Sequence, residues 1–116
     1  PEDEESKRLQ FAQAATGAIG VETLLPLSLE MYHNNSLPLN KIIETLTINP
    51  AKILKIKKGS LAKGSDGDIC ILNLDAPWAV QADKLRSKSK NTAIEGRKLQ
   101  GKVLMTFLNG HLAFNL

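Results

Sequence analysis

The sequence predicts a chain of helices followed by β strands, and three features indicate this order. Apolar residues recur every three or four positions across Leu39–Leu46, the spacing of a helix with one packed face. The apolar run Ile69–Leu72 has the length of a strand, and Asn109-Gly110 separates two further apolar runs, as in a tight hairpin. Because helices and strands do not alternate, the order differs from that of a complete alternating α/β domain.

Three helices are expected in the first half of the chain. The first extends from Val21 to about His33, with Glu22 in its first turn, where the helix dipole favours an acid. The second begins near Pro38 and is expected to end before Pro50, because the residue preceding a proline is disfavoured in helical geometry. The third, Pro50–Leu54, has its proline at the first helical position, where proline is tolerated.

The second half is expected to be β structure. Within Asp68–Leu74 the apolar residues follow one another without alternation, which predicts a strand buried on both faces or nearly so. Ala76-Pro77 is expected to break it, and Trp78–Val80 to form a short strand. Leu99–Leu108 and His111–Phe114 are expected to pair through a type I′ turn at Asn109-Gly110. So few short strands leave open sheet edges, and we expect these edges to pair with a strand of another chain or segment.

Composition excludes several classes of protein. Cys70 is the single cysteine and lies in an apolar run, which favours a structural core residue in a reducing, cytoplasmic compartment over a disulfide scaffold. No apolar run approaches the eighteen residues of a membrane span, and the chain opens on acids rather than on a targeting signal. Among the lysines and arginines between Lys52 and Lys102 there is a single aromatic residue, Trp78, so a solvated face is preferred to nucleic-acid binding.

The histidines and a glycine pair are the local candidates for a site. His33 is expected at a helix C-terminus, where a cation is favourable, and His111 on an exposed hairpin, so neither is assigned to a metal. Gly17 and Gly20 predict backbone that turns sharply or approaches something closely. Spacing alone leaves open whether that neighbour is a ligand or a packed helix.

Four segments carry a resemblance to a known family. Thr47–Leu54 and Lys58–Ile69 resemble the C-terminal signature of the amidohydrolase superfamily: asparagine-proline-alanine, a glycine-x-leucine turn, then glycine before a strand. Phe11–Leu27 is similar to the end of the barrel in dihydroorotases. Ser87–Val103 and the Asn-Gly hairpin are similar to the tail of those enzymes. Gly67 stands where the superfamily usually has alanine.

The resemblance implies an α/β parent protein with a (β/α)₈ barrel and a small β-sandwich domain, of which this chain is the C-terminal part. Residues 1–58 are then the last loop and terminal helices of the barrel domain, and residues 59–116 the C-terminal portion of the sandwich. It further implies a cytoplasmic enzyme of pyrimidine biosynthesis that converts dihydroorotate reversibly to N-carbamoyl-aspartate. The chain is expected to pair with the preceding part of its own polypeptide, and a homodimer is compatible with this arrangement.

The family's catalytic apparatus has no counterpart in this sequence. Zinc in these enzymes is held by a His-x-His pair, further histidines and a carboxylated lysine, and an aspartate acts as base. None of these motifs is present, so no catalytic residue and no metal ligand is assigned, including among the acids Glu2–Glu5. The chain alone is therefore expected to bind no zinc and to be inactive. Thr16 and Gly17 occupy the place of the family's proline-glycine loop, whose backbone contacts substrate, and are predicted to bind substrate.

Three alternatives remain open from the sequence. The second hypothesis, after the active enzyme, is a catalytically inactive dihydroorotase-like partner of aspartate transcarbamoylase, because the zinc ligands lie outside the matched segments. The parent protein also resembles the related cyclic amidohydrolases allantoinase and dihydropyrimidinase, whose tails are similar. An independent basic module that binds nucleic acid is the weakest hypothesis, since charge alone supports it.

Overall fold

The computed structural model describes residues 5–116 and confirms the order of helices followed by strands. Short 3₁₀ helices occur at Glu5–Lys7 and Ala82–Lys84. The longer elements, in chain order, are α1 (Leu24–His33), α2 (Leu39–Leu46), α3 (Ile48–Ile53), β1 (Ile69–Ala79), β2 (Lys98–Leu108) and β3 (His111–Asn115). No helix among these described residues combines the length and the apolar composition that crossing a membrane requires.

The helices confirm the apolar pattern but correct two boundaries. α1 begins at Leu24, so Glu22 precedes the helix and does not lie in its first turn. α3 begins at Ile48, which makes Pro50 its third residue rather than its first. It also includes Asn49, although the residue before a proline was expected to stay out of a helix. Pro26 in α1 and Pro50 in α3 therefore each lie in the first turn of the helix, where the missing N–H removes no helical hydrogen bond. α2 matches the expectation, with Ile42 fully buried on its apolar face.

The strands form an antiparallel sheet in the order β1-β2-β3. Asn109 (φ 50°) and Gly110 (φ 78°) both adopt the left-handed conformation between β2 and β3, which confirms the predicted type I′ turn. Among residues 5–116, β1 and β3 each keep one edge without a strand partner. The open edges expected from a few short strands are therefore present.

β1 corrects the predicted break at Pro77. The strand continues to Ala79, and Asn73 pairs with Lys102 while Pro77 pairs with Gln100, so an irregularity lies between the two pairs. A bulge accommodates proline because the ladder hydrogen bonds are locally interrupted there. The carbonyl of Leu74, inside the bulge, accepts a hydrogen bond from His33 Nε2 at 3.1 Å.

The buried side chains lie where the helices meet β2. α1 packs against β2 and α2, and α2 packs against α3. Val80, Leu85 and Leu99 form one buried cluster, which Ile19, Leu27, Trp78 and Ile94 partly surround. Leu29 of α1 is fully buried and faces Gly101, where an added Cβ would lie 2.4 Å from Leu29 Cδ1. We call Leu29, Val80, Leu85 and Leu99 the junction core.

The far end of the sheet contradicts the prediction that β1 is buried on both faces. Ile69 and Ile71 are 42% and 43% exposed, and Cys70 is exposed rather than a core residue. The apolar run predicted burial, but burial requires a covering layer, and α1 covers β2 near the junction core instead. We call residues 66–71 and 106–112 together the hairpin end.

Polar contacts bind the segment before β1 to the turn between β2 and β3. Asp68 accepts hydrogen bonds from the Asn109 backbone N–H at 2.8 Å and from Lys58 Nζ at 2.5 Å. Both bonds lower the pKa of Asp68 below its ordinary value, and the bond from the Asn109 backbone has the larger effect. Lys58 also contacts Asp66 at 2.8 Å, and its two carboxylate partners raise the pKa of its ammonium. The Gly110 N–H donates to the Gly67 carbonyl at 2.9 Å.

Candidate substrate-contacting loop

The predicted glycine turn is an exposed loop that runs from Ala15 to Gly20. Gly17 has φ +88°, a left-handed conformation that L residues with a side chain adopt at a cost. Thr16, Gly17 and Ala18 are exposed, while Ile19 packs against the Val80–Leu85–Leu99 cluster. Thr16 and Gly17 are thus exposed to solvent, while the packing of Ile19 anchors the loop on the protein.

Lys7 holds one side of this loop. Its ammonium donates to the carbonyl oxygens of Ala15 (2.8 Å), Thr16 (2.8 Å) and Gly17 (2.7 Å). An ammonium has three protons and no acceptor, so three converging carbonyls match its donors. The Ala15 N–H also donates to the Ser6 carbonyl at 2.9 Å, which ties the loop to the residue before Lys7.

Asn91 holds the loop from the opposite end of the chain. Its side-chain Nδ2 donates to the Gly17 carbonyl at 2.6 Å, and its backbone carbonyl accepts from the Ile19 N–H at 2.9 Å. One residue therefore bonds on both sides of Ala18. Because each bond is to backbone, the contact depends on the loop's conformation rather than on its side chains.

Glu22 makes a third connection between the same two segments. Its carboxylate accepts from the backbone N–H groups of Arg86 and Ser87, each at 3.2 Å. Between this contact and the loop lies a concavity of about 180 Å³, lined by residues 18–23 together with Leu85 and Ser87. A cavity of this size is below the range of drug-sized sites, so by itself it accommodates only a small group.

The carbonyl contacts decide which way the loop's N–H groups point. No peptide bond among the described residues is cis, and in a trans peptide the C=O and the following N–H point in opposite directions. With the carbonyls of Ala15, Thr16 and Gly17 turned toward Lys7, the N–H groups of Thr16, Gly17 and Ala18 are turned away from it. Successive N–H groups on one side of a turn are suited to bind a carbonyl or carboxylate oxygen.

The described residues do not assemble a metal site. Within residues 5–116, no three histidine, cysteine, aspartate or glutamate side chains converge as metal ligands would. His33 is the last residue of α1, as predicted, and its Nε2 is engaged with the Leu74 carbonyl. His111 is exposed beside the hairpin turn, also as predicted. Of the acids considered at the start of the chain, Glu2–Glu4 lie outside the described residues.

Sequence reasoning identified the loop but not the residues that hold it. Lys7 was one of 15 basic residues, and Glu22 was interpreted as a helix-dipole acid. Asn91 was noted only within a matched segment, although its side chain reaches a residue 74 positions away. No local pattern encodes such a distant pair. The only available signal was that both ends of the contact fall in segments with the same resemblance.

Comparison with known proteins gives a consistent result. A sequence profile described as the amidohydrolase family matches residues 9–113. The dihydroorotase of Ehrlichia chaffeensis is 44% identical over 114 residues, which cover 98% of this chain and 26% of that protein. The resemblance drawn from the sequence is thereby confirmed. The chain spans about a quarter of the length of the relatives it matches.

Solved structures share the fold. The L-hydantoinase (dihydropyrimidinase) from Arthrobacter aurescens is 34% identical, with a TM-score of 0.84 over 90% of this chain and 24% of that one. A D-hydantoinase structure has a TM-score of 0.87 and covers 97% of this chain and 25% of that one. Its 24% identity shows the fold alone.

Proposed function

The chain belongs to the amidohydrolase family, and we propose that it is the C-terminal part of a dihydroorotase. That enzyme hydrolyses the cyclic amide of dihydroorotate reversibly to N-carbamoyl-aspartate, in the cytoplasmic synthesis of pyrimidines. The observation that carries the proposal is the 44% identity to a dihydroorotase across 98% of the chain. The matched length includes both the exposed loop and the Asn91 segment that holds it.

The loop at Thr16-Gly17 is proposed to contact the substrate. Its N–H groups are turned away from Lys7, and Thr16, Gly17 and Ala18 are exposed. Dihydroorotate offers ring carbonyls and a carboxylate, which are acceptors for such donors. Backbone donors fixed before substrate arrives cost less ordering entropy on binding than mobile side chains do.

The zinc of the proposed enzyme requires ligands that residues 5–116 do not assemble. Zinc in this chemistry polarises the amide carbonyl and supplies hydroxide near neutral pH. The ligand set is therefore proposed to come from the (β/α)₈ barrel of the same polypeptide. In this arrangement residues 1–58 contribute the last loop and terminal helices of that barrel, and residues 59–116 contribute to the β-sandwich domain.

Exposed apolar residues support packing against the rest of that polypeptide. Phe11 is fully exposed and Val21 is 94% exposed, and both flank the candidate loop. Leu24, at the start of α1, is exposed on the same part of the chain. Leaving several large apolar side chains in water is costly, so a covering surface is expected here. Homodimerisation is a separate proposal about the assembled enzyme.

A second cyclic amidohydrolase activity has its own support. The L-hydantoinase (dihydropyrimidinase) structure is 34% identical over most of the chain, above the level at which only the fold is shared. Dihydropyrimidinase activity on a neutral cyclic diamide is therefore the second candidate. The two substrates differ by the carboxylate of dihydroorotate, so assays that compare them separate the candidates.

The test uses the complete gene product that contains this chain, purified with its metal content measured. Hydrolysis of dihydroorotate supports the first candidate, as does the reverse reaction, in which dihydroorotate is formed from carbamoyl aspartate. Turnover of dihydrouracil or hydantoin without dihydroorotate supports the second. A folded, soluble product that hydrolyses none of them contradicts both, and agrees with the catalytically inactive partner of aspartate transcarbamoylase. Presence or loss of a His-x-His pair elsewhere in the gene product provides an independent check.

A further inference from the structure

The exposed loop is held through its backbone by two residues that lie outside it. Lys7 binds the carbonyls of Ala15, Thr16 and Gly17, and Asn91 binds the Gly17 carbonyl and the Ile19 N–H. The Gly17 carbonyl is the point that both side chains share. These contacts fix the orientation of consecutive peptide planes in a segment that is otherwise exposed.

We propose that Lys7 and Asn91 are positioning residues that aim the loop's N–H groups at the substrate. This inference rests on the proposed function, because it assigns the loop's backbone to substrate binding. Rotation of the Thr16-Gly17 peptide by half a turn would point a carbonyl at the substrate instead of an N–H. An acceptor oxygen of the substrate would then face the carbonyl oxygen of the loop, and the two oxygens would repel each other.

Lys7 is suited to this task by charge and by number of donors. The carbonyl oxygens of residues 15–17 converge on one ammonium at 2.7–2.8 Å. Three carbonyl dipoles pointing at one another repel, so their convergence requires a cation between them. A neutral residue at position 7 would let the peptides rotate, and hydrogen bonds to a charged group are among the stronger ones in proteins.

Asn91 adds what Lys7 cannot supply. Its amide donates to Gly17 at 2.6 Å, while its own carbonyl accepts from Ile19, whose side chain packs on the buried Val80–Leu85–Leu99 cluster. Asn91 therefore fixes the position of the loop relative to the buried Val80–Leu85–Leu99 cluster. Substitution to aspartate keeps the size of the side chain but places a carboxylate against the Gly17 carbonyl, which removes the donor and adds repulsion.

The experiment measures steady-state kinetics of the complete gene product on the cyclic amide that it hydrolyses. The test variants are Lys7→Met, which keeps the length of the side chain, Lys7→Arg, which keeps the charge, and Asn91→Asp. Matched controls are Lys63→Met and Asn40→Asp, at exposed positions remote in sequence from the loop. Hydrogen exchange of the amides of residues 15–20 is followed by mass spectrometry in every variant.

In Lys7→Met and Asn91→Asp, KM is expected to rise about tenfold with kcat within about twofold of the unsubstituted enzyme, since binding contacts are lost equally in ground and transition states. Loop exchange should accelerate in both, Lys7→Arg should recover part of the KM, and the controls should match the unsubstituted enzyme. A purely structural role would lower the yield of active enzyme, and therefore kcat, at constant KM.

Two results overturn the inference in distinguishable ways. If the unsubstituted product hydrolyses its cyclic amide and KM is unchanged in Lys7→Met and Asn91→Asp, the positioning role is wrong while the proposed function stands. If the unsubstituted product hydrolyses no cyclic amide, the proposed function is wrong and the positioning role falls with it, whatever the exchange rates show.

Discussion

At the junction core, α1 lies across β2, and Leu29, Val80 and Leu99 lose nearly all contact with solvent. At the hairpin end, the same antiparallel pair of strands leaves Ile69 and Ile71 more than two-fifths exposed. The hairpin end is held instead by backbone pairing, by the Asn-Gly turn and by the bonds that Asp68 accepts.

The difference teaches that one sheet can be stabilised by two mechanisms along its length. Hydrophobic stabilisation scales with the apolar area removed from water, about 25 cal/mol per Å², so it concentrates at the junction core. Hydrogen bonds in exposed positions contribute less, because water competes for both partners. Substitutions at the two ends should therefore differ in both size and pH dependence.

The largest expected effect is at Leu29. Leu29→Ala should lower the free energy of unfolding by about 2–5 kcal/mol, since it removes buried methyl groups and leaves a cavity. Its matched control, Leu112→Ala at the hairpin end, removes the same atoms from a residue that is 55% exposed. That loss should stay below about 1 kcal/mol. Urea denaturation of both variants measures the contrast, and equal losses would contradict the comparison.

Gly101→Ala should be the next largest effect. Gly101 has φ +106°, and its new Cβ would lie 2.4 Å from Leu29 Cδ1. Backbone strain and overpacking together should cost about 2–4 kcal/mol. Gly96→Ala is the control, because its φ is +73° with nothing within 4 Å of the added Cβ. It should report strain alone, about 1–2 kcal/mol, by the same urea measurement. A Gly101→Ala variant no less stable than Gly96→Ala would show that Leu29 does not pack there as described.

At the hairpin end, Asn109→Val should cost about 1–2 kcal/mol, because a β-branched residue is strained at φ 50°. The backbone N–H that bonds Asp68 is retained, so the change isolates the turn. Asn115→Val on the exposed end of β3 is the matched control and should change stability by less than about 0.5 kcal/mol. Thermal melting of both variants serves as the measurement, and a neutral Asn109→Val would argue against a type I′ turn.

The smallest expected effect is a pH dependence at Asp68. The folded-state pKa of Asp68 is lowered, so its carboxylate contributes stability above the ordinary pKa of 3.8 and loses it as pH falls through the folded value. Asp68→Asn should therefore be less stable than the unsubstituted chain at about pH 6, and the gap should narrow toward about pH 3. Urea midpoints at both pH values test this, and a gap independent of pH would mean that the charge of Asp68 contributes nothing.

Lys58 extends the same test in the alkaline direction. Its pKa is raised above 10.5 by Asp66 and Asp68, so its contribution is complete below that value and is lost as pH rises through the folded value. Both ends of the ion pair are partly exposed, so salt should weaken the effect. The junction core has no such ionisable group among its buried members, and its stability should not follow this pH profile.

The turn at Gly17 was predictable from the sequence, but the contacts that hold the loop were not. The glycine pattern predicted a sharp turn, and Gly17 does adopt a turn conformation, while substrate binding by Thr16-Gly17 stays a prediction. The clamp of Lys7 and Asn91 was not predictable, because it joins residues at opposite ends of the chain. Glu22 shows the same limit. The sequence predicts an acid in the first turn of a helix, whereas its carboxylate accepts hydrogen bonds from the backbone N–H groups of Arg86 and Ser87.

The sequence by itself determined the features that depend on neighbours along the chain: the apolar stripe of α2, the Asn-Gly turn, and the order of helices before strands. These follow from period and from local backbone preference. Only the tertiary structure decided which apolar residues are covered. Cys70 and Ile71 lie in a run as apolar as any in the chain, yet they are exposed because no described element packs over them. An apolar side chain is buried only where another element covers it, and the apolar pattern of one strand does not determine where that covering element lies.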